Sequence, residues 1–84
     1  MQIALMAAGS YDTLLDAARW AEERGLPTLG IPDHYVFSLD ESGIPNPAHD
    51  AFALLAGLAR ETSTIRLSVT VSPITFRHPA VLAK

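Results

Sequence analysis

The alternation of short apolar runs with amphipathic stretches is the feature of this 84-residue chain that most constrains its fold. Apolar runs predict strands over Gln2–Met6, Thr28–Ile31 and Ile65–Val71. Helical spacing of apolar residues predicts helices over Asp12–Arg24 and Asp50–Glu61, and Pro79 stands at a typical first helical position. Strands that alternate with helices in this way pair in parallel through right-handed crossovers, so we expect an α/β fold.

Composition excludes several classes of protein. Hydrophobic residues make up 49% of the chain and charged residues 18%, which argues against disorder. The net charge is −3 and the basic residues are scattered, so we expect no nucleic-acid partner. The apolar start, residues 1–8, lacks a positive leading region and is too short for a signal peptide or a membrane span. With no cysteine available for disulfides, we expect a soluble, cytoplasmic protein.

The segment Asp33–His49 has no apolar period and contains Ser42-Gly43 and Asn46-Pro47, so we predict a long loop. Loops of this length in compact domains are usually functional or disordered. The turn after the first strand, Ala7–Tyr11, has one glycine and no G-x-G-x-x-G pattern, which argues against a nucleotide-binding α/β fold.

Asp33 and His34 directly follow the second predicted strand, and the carboxyl ends of parallel strands are where such folds carry their chemistry. A histidine there can donate or accept a proton near neutral pH. From these two residues alone, a solvated turn in which Asp33 caps local N–H groups remains an equal alternative.

Two other polar groupings are open to more than one interpretation. The histidine and aspartate side chains suit zinc or iron, although their spacing matches no known ligand pattern; they are His34, His49, His78, Asp33 and Asp50. His49 is more simply a residue near a helix start. Ser72 and Arg77-His78-Pro79 form the second grouping, which can hold an anion or a ring carbonyl at a helix start. Alternatively, Arg77 is a surface cation and His78 a cap.

Five segments, in this order and at these spacings, resemble the amino-terminal part of the luciferase-like flavin- and F420-dependent oxidoreductases. They are Leu14–Glu22, Pro32–Tyr35, Thr62–Leu67, Ser72-Pro73 and Phe76–Ala80. The resemblance implies a (β/α)8 TIM barrel whose cofactor ring lies across the carboxyl ends of the strands. Residues 1–84 would then be a parallel β-α-β-α-β segment of that barrel, with three strands, two helices and the start of a third, truncated before closure.

The resemblance also implies roles for individual residues. His34 is the expected catalytic residue, for proton transfer or substrate positioning, while Asp33 and Ser72 would bind the polar edge of the cofactor. Threonine is common in the family where Ser72 stands. The third strand would support the ring through Thr70 and Val71, with a non-prolyl cis peptide near Val69–Val71. Pro32-Asp33-His34 resembles F420-dependent members more than FMN-dependent ones, so we expect F420, with FMN as the alternative.

The leading hypothesis is therefore a segment of an oxidoreductase or monooxygenase that contributes to hydride transfer on a small-molecule substrate. Because such barrels need about 250 residues, we expect the chain alone to be inactive and to require a carboxyl-terminal part or a homo-oligomer. One alternative is a non-catalytic fragment that folds only with a partner, suggested by the apolar side chains Leu54, Leu58, Ile65 and Val69. Another is a metal-dependent TIM-barrel hydrolase with Asp33 and His34 as ligands.

Overall fold

The computed structural model describes residues 2–39 and 41–84 as an α/β fold. Its elements in chain order are β1 (Leu5–Met6), α1 (Tyr11–Glu23), β2 (Thr28–Ile31), β3 (Val36–Leu39), β4 (Pro45–Pro47), α2 (Ala51–Glu61), β5 (Arg66–Val69) and α3 (Pro79–Leu82). Within the described residues, β1, β2 and β5 form one sheet in the order β1-β2-β5, and both pairings are parallel. The predicted parallel β-α-β-α-β arrangement is confirmed, although β1 and β5 are shorter than predicted.

Local sequence signals fix both ends of α1. The Ser10 hydroxyl accepts a hydrogen bond from the backbone N–H of Thr13 at 3.3 Å, which satisfies one of the free donors at a helix start. After Arg24, Gly25 adopts a φ of 71°, a left-handed conformation that glycine tolerates, and Pro27 prevents the helix from continuing. Among the described residues no helix is long and apolar enough to cross a membrane.

The hydrophobic core lies between the two long helices and one face of the sheet. Leu14 and Ala18 of α1 and Leu58 of α2 are fully buried against Leu29 and Ile31 of β2. Burying a leucine or isoleucine side chain fully is worth about 1.5–3 kcal/mol, so these contacts hold the crossover helices on the sheet.

The apolar side chains that suggested a missing partner are covered by the chain itself. Leu54, Leu58 and Ile65 are buried in the core, and the partly buried Val69 packs against it. Their apolar character therefore reflects the core between helices and sheet, and it gives no separate support to a fragment that needs a partner to fold.

A β-hairpin lies within the segment predicted to be a loop, so that prediction was wrong. β3 and β4 pair antiparallel, with residue 40 outside the described residues, and the backbone N–H of Ala48 donates to the carbonyl of Tyr35 at 2.9 Å at the base of the hairpin. Gly43, with a φ of 77°, allows the chain to reverse. Val36 and Leu39 are exposed, which explains why the segment lacks the apolar alternation of a half-buried strand.

The Glu22 carboxylate joins the end of α1 to the turn between α2 and β5. Its Oε1 accepts hydrogen bonds from the backbone N–H groups of Ser63 at 2.7 Å, of Thr64, and of Ile65 at 3.1 Å. The Thr64 hydroxyl donates to the same oxygen at 3.0 Å. These donors, the Thr64 N–H foremost, lower the pKa of Glu22 from 4.5 to about 2. The carboxylate thus fixes the chain just before β5.

We expect Glu22→Gln to destabilise the protein in a pH-dependent way. Because the folded-state pKa is lower than the unfolded one, the carboxylate contributes its full stability above pH 4.5 and loses it as pH falls toward 2. Thermal melting of both proteins should therefore give a Tm difference that is largest near neutral pH and shrinks below pH 4.5. Glu23→Gln, which changes an exposed neighbour, is the control. A Tm difference that does not change with pH would contradict this account of Glu22.

Candidate functional site

The parallel pairing of β2 with β5 brings the segments that follow them to one edge of the sheet. Beyond the last paired residues, the backbone N–H of Thr70 donates to the carbonyl of Ile31 at 2.8 Å. The N–H of Asp33 donates to the carbonyl of Val71 at 3.3 Å. The two chains therefore stay in register past the strand ends, which places Asp33 beside Ser72.

Asp33 is a buried carboxylate with charged and neutral partners. Its side chain is 4% exposed, and its Oδ2 accepts hydrogen bonds from the Ser72 hydroxyl at 3.2 Å and from Nη1 of Arg77. Nη2 of Arg77 lies 3.4 Å from the other carboxylate oxygen. A buried carboxylate needs such partners because an unpaired charge in the interior is costly. The alternative of a solvated turn at Asp33 was therefore wrong.

Arg77 binds two carboxylates and packs on an aromatic ring. Besides Asp33, its Nη2 donates to Oδ2 of Asp50, and its guanidinium carbon lies 4.4 Å from the centroid of the Phe52 ring. Asp33 and then Asp50 raise the pKa of Arg77, since both stabilise its charged form. The side chain is 18% exposed, so the interpretation of Arg77 as a surface cation was wrong. An anion that bound to Arg77 would have to compete with these two carboxylates for the guanidinium group.

Asp50 links this site to the start of α2. One oxygen, Oδ1, caps the helix by accepting the backbone N–H of Ala53 at 2.9 Å, while Oδ2 accepts from Arg77. The Ala53 N–H and Arg77 both lower the pKa of Asp50. The single carboxylate thereby fixes both the helix start and the guanidinium.

These groups line a pocket of about 170 Å³ at the carboxyl edge of the sheet. Tyr35 and Phe76 form an aromatic wall, with ring centroids 3.9 Å apart and an interplanar angle of 22°. His34 is exposed and also lines the pocket. The remaining lining residues are Asp33, Ala48, Asp50 and Arg77. The pocket thus combines an imidazole with an aromatic wall and the charged groups of Asp33, Asp50 and Arg77.

Thr70, Val71 and Ser72 lie outside the residues that line this pocket, although Ser72 is hydrogen-bonded to Asp33, which lines it. The peptide bond between them is cis, at the place that the family resemblance implied. The Thr70 hydroxyl is 3.5 Å from the Ser68 hydroxyl, and a Cβ added at Gly30 would come within 3.1 Å of it. Thr70 therefore lies on the sheet face opposite the helices, while the Val71 carbonyl binds Asp33. Cofactor binding by Thr70 and Val71 stays a prediction.

The candidate metal ligands do not gather in the described part of the chain. Among residues 2–39 and 41–84, no group of three or more histidine, cysteine, aspartate or glutamate side chains is placed to hold a metal ion. His78 caps α3, its Nδ1 accepting the backbone N–H of Ala80 at 3.2 Å, so the capping interpretation is confirmed. His49 is exposed beside the Asp50 cap, as its position near a helix start predicted.

Sequence reasoning missed the aromatic wall and the bridge through Arg77. The sequence indicates Asp50 as a candidate metal ligand and Arg77 as an anion receptor or a surface cation, but nothing in their spacing indicates that the two side chains meet. The Phe76-Arg77 pair beside a helix start was a weak sequence signal that this segment contributes an aromatic ring and a cation to the site. Tyr35 next to His34 carried none, because a single aromatic residue does not reveal its partner.

Comparison with known proteins adds the family. A family model described as luciferase-like monooxygenase matches residues 2–84, nearly the whole chain. The chain belongs to the luciferase-like monooxygenase family. The resemblance is thereby confirmed, and with it the coarse class of oxidoreductases and monooxygenases. Searches of curated proteins and of solved structures gave no match. For this luciferase-like chain, the site therefore has to be interpreted from its own geometry.

Substitutions of Asp50 should separate its two roles. Asparagine keeps a side-chain oxygen for the helix cap but loses the charge that Arg77 binds, whereas alanine loses both. We expect Asp50→Ala to lower the free energy of unfolding by about 1 kcal/mol more than Asp50→Asn does, because that is a typical value for an N-cap. Urea denaturation followed by circular dichroism measures the difference. Equal destabilisation by both substitutions would show that the cap contributes nothing.

Proposed function

We propose that this chain forms part of the cofactor and substrate pocket of an F420- or FMN-dependent oxidoreductase built on a (β/α)8 barrel. The observation that carries the proposal is the pocket at the carboxyl ends of β2 and β5, where His34 lies beside the paired Asp33 and Arg77. Parallel α/β folds bind their ligands at this edge of the sheet. Members of the luciferase-like family use flavin or F420 cofactors.

The chemistry of the pocket suits the edge of a flat heterocyclic ring. Ser72 is not one of the lining residues, but its hydroxyl donates to Asp33, which is, so its oxygen is left to accept a hydrogen bond from a ring N–H at the pocket edge. The stacked rings of Tyr35 and Phe76 offer a flat apolar surface beside it. The volume of about 170 Å³ is below the roughly 300–1,000 Å³ of complete small-molecule sites. We therefore propose that these residues contact one part of the cofactor or substrate.

The sheet face opposite the two long helices supports the proposal of a (β/α)8 barrel. Both long helices pack on one face, through Leu29 and Ile31. The opposite face carries Gly30, Ser68 and Thr70, together with Met6, which pairs with Gly30 and is exposed. In a (β/α)8 barrel this inner face is enclosed by the other strands, and the helices form the outer ring.

The proposed division of roles follows from burial and bonding. When bound, F420 or FMN supplies hydride transfer. His34, exposed at the pocket, would donate or accept the accompanying proton or position the substrate. Asp33 is buried and already bonded, so it would act through Ser72 by orienting its hydroxyl. F420 is preferred over FMN because Pro32-Asp33-His34 resembles the F420-dependent members.

A metal-dependent hydrolase gains no support from this geometry. Its first proposed ligand, Asp33, has its carboxylate engaged by Arg77 and Ser72. A metal ion would have to displace the guanidinium before it could bind.

Fluorescence titration of the purified protein with F420 and with FMN tests the proposal. We expect saturable binding of F420, weakened by Ser72→Ala by about 2- to 10-fold, the range for one hydrogen bond. His34→Ala should also weaken binding, because His34 lines the pocket. His49→Ala is the matched control, because His49 is exposed and outside the residues that line the pocket.

Binding of neither compound would refute the proposed function. Equal weakening by His34→Ala and His49→Ala would refute the assignment of the site to this pocket. Saturable binding of FMN but not of F420 would refute the preference for F420 and leave the proposed class of enzyme intact.

A further inference from the structure

We propose that Arg77 is the positioning residue of this pocket, holding together the three segments that carry its other groups. The inference rests on the proposed function for what the pocket binds, but its structural content stands on the contacts of Arg77 alone. No pattern in the sequence assigns Arg77 this role.

Arg77 joins three separate stretches of chain. It belongs to the segment after β5 and binds Asp33, which follows β2 and directly precedes His34. Its other partner, Asp50, follows the hairpin and caps α2. The guanidinium group therefore links the segment that carries His34 to the start of α2, alongside the backbone hydrogen bond from the Ala48 N–H to the Tyr35 carbonyl.

The arrangement needs the planar shape of the arginine side chain. The guanidinium offers donors in a fixed plane, so its two terminal nitrogens can serve two carboxylates at once. The ring of Phe52, 4.4 Å from the guanidinium carbon, supports that plane from one side. A lysine keeps the positive charge but offers a single nitrogen and no planar face.

Loss of Arg77 would affect Asp33 first. Asp33 would keep the Ser72 hydroxyl but lose its charged partner within the described residues, and its side chain is 4% exposed. A buried carboxylate without a compensating charge is unstable, so we expect it to turn toward water. Because His34 is the next residue, its backbone would move with Asp33. The core around Leu29 and Ile31 is held by apolar packing against the helices and should persist.

Hydrogen–deuterium exchange of Arg77→Met and Arg77→Lys measures the local effect without any ligand. We expect Arg77→Met to speed exchange in residues 33–36 by about tenfold, while amides of β2 and of the Glu22-bound turn keep the wild-type rate. Arg77→Lys should restore the melting temperature more fully than the exchange protection of residues 33–36. Arg19→Met, which breaks the exposed ion pair with Glu61, is the control and should leave residues 33–36 unchanged.

Each outcome decides the proposal. Unchanged exchange in residues 33–36, or an increase spread evenly over β2 and the core, would overturn it, because Arg77 would then be irrelevant or a general stabiliser. If Arg77→Lys kept the wild-type exchange protection of residues 33–36, the claim that the site needs a planar donor would be wrong. If Arg77→Met does not fold, Arg77→Lys decides: faster exchange confined to residues 33–36 supports positioning, and wild-type exchange contradicts it.

The proposed function is tested separately by titrating the same variants with F420 and FMN. If the wild-type protein binds the cofactor, Arg77→Lys should weaken binding by about tenfold at a temperature where the variant is fully folded. If the wild-type protein binds neither compound, the proposed function fails, while the exchange experiment still confirms or refutes the positioning by Arg77.

Discussion

The pairing of a buried carboxylate with a cation is the interaction on which the site depends. Asp33 is placed at the sheet edge by backbone bonds that follow the last residues of β2, and its burial makes a positive partner necessary. Arg77 is that positive partner, and it also binds Asp50. The pairing of Asp33 with Arg77 therefore holds together the segments that form the pocket. The parallel sheet and the crossover helices supply the rigid frame on which this pairing acts.

The parallel sheet and its crossover helices could be predicted from the sequence because their signals are local and repeat along the chain. The apolar period of α1, the Gly25 stop and the apolar run of β2 each constrain a few neighbouring residues, and the alternation of elements implies parallel pairing. The rim position of Asp33 and Ser72 follows from the same logic, and their hydrogen bond agrees with it. The family resemblance added the cis peptide after β5, which no local pattern indicates.

The remaining features depend on contacts between residues distant in sequence. The bridge from Arg77 to Asp33 joins residues 44 positions apart, and neither residue type identifies its partner. The hairpin lacks the alternation of apolar and polar residues because Val36 and Leu39 are exposed. A prediction based on buried apolar residues therefore does not detect its strands. The Glu22 interaction is similar: one carboxylate binds a distant turn through backbone donors, which every sequence provides. Such features require the fold before they can be recognised.

A double-mutant cycle between Asp33→Asn and Arg77→Met tests the central pairing most directly. If the two side chains depend on each other as described, each single substitution destabilises the protein. The second substitution should then cost much less in the background of the first, measured as free energies of unfolding in urea. Additive effects of the two substitutions would contradict the account, since they would mean that the buried carboxylate and the guanidinium stabilise the fold independently.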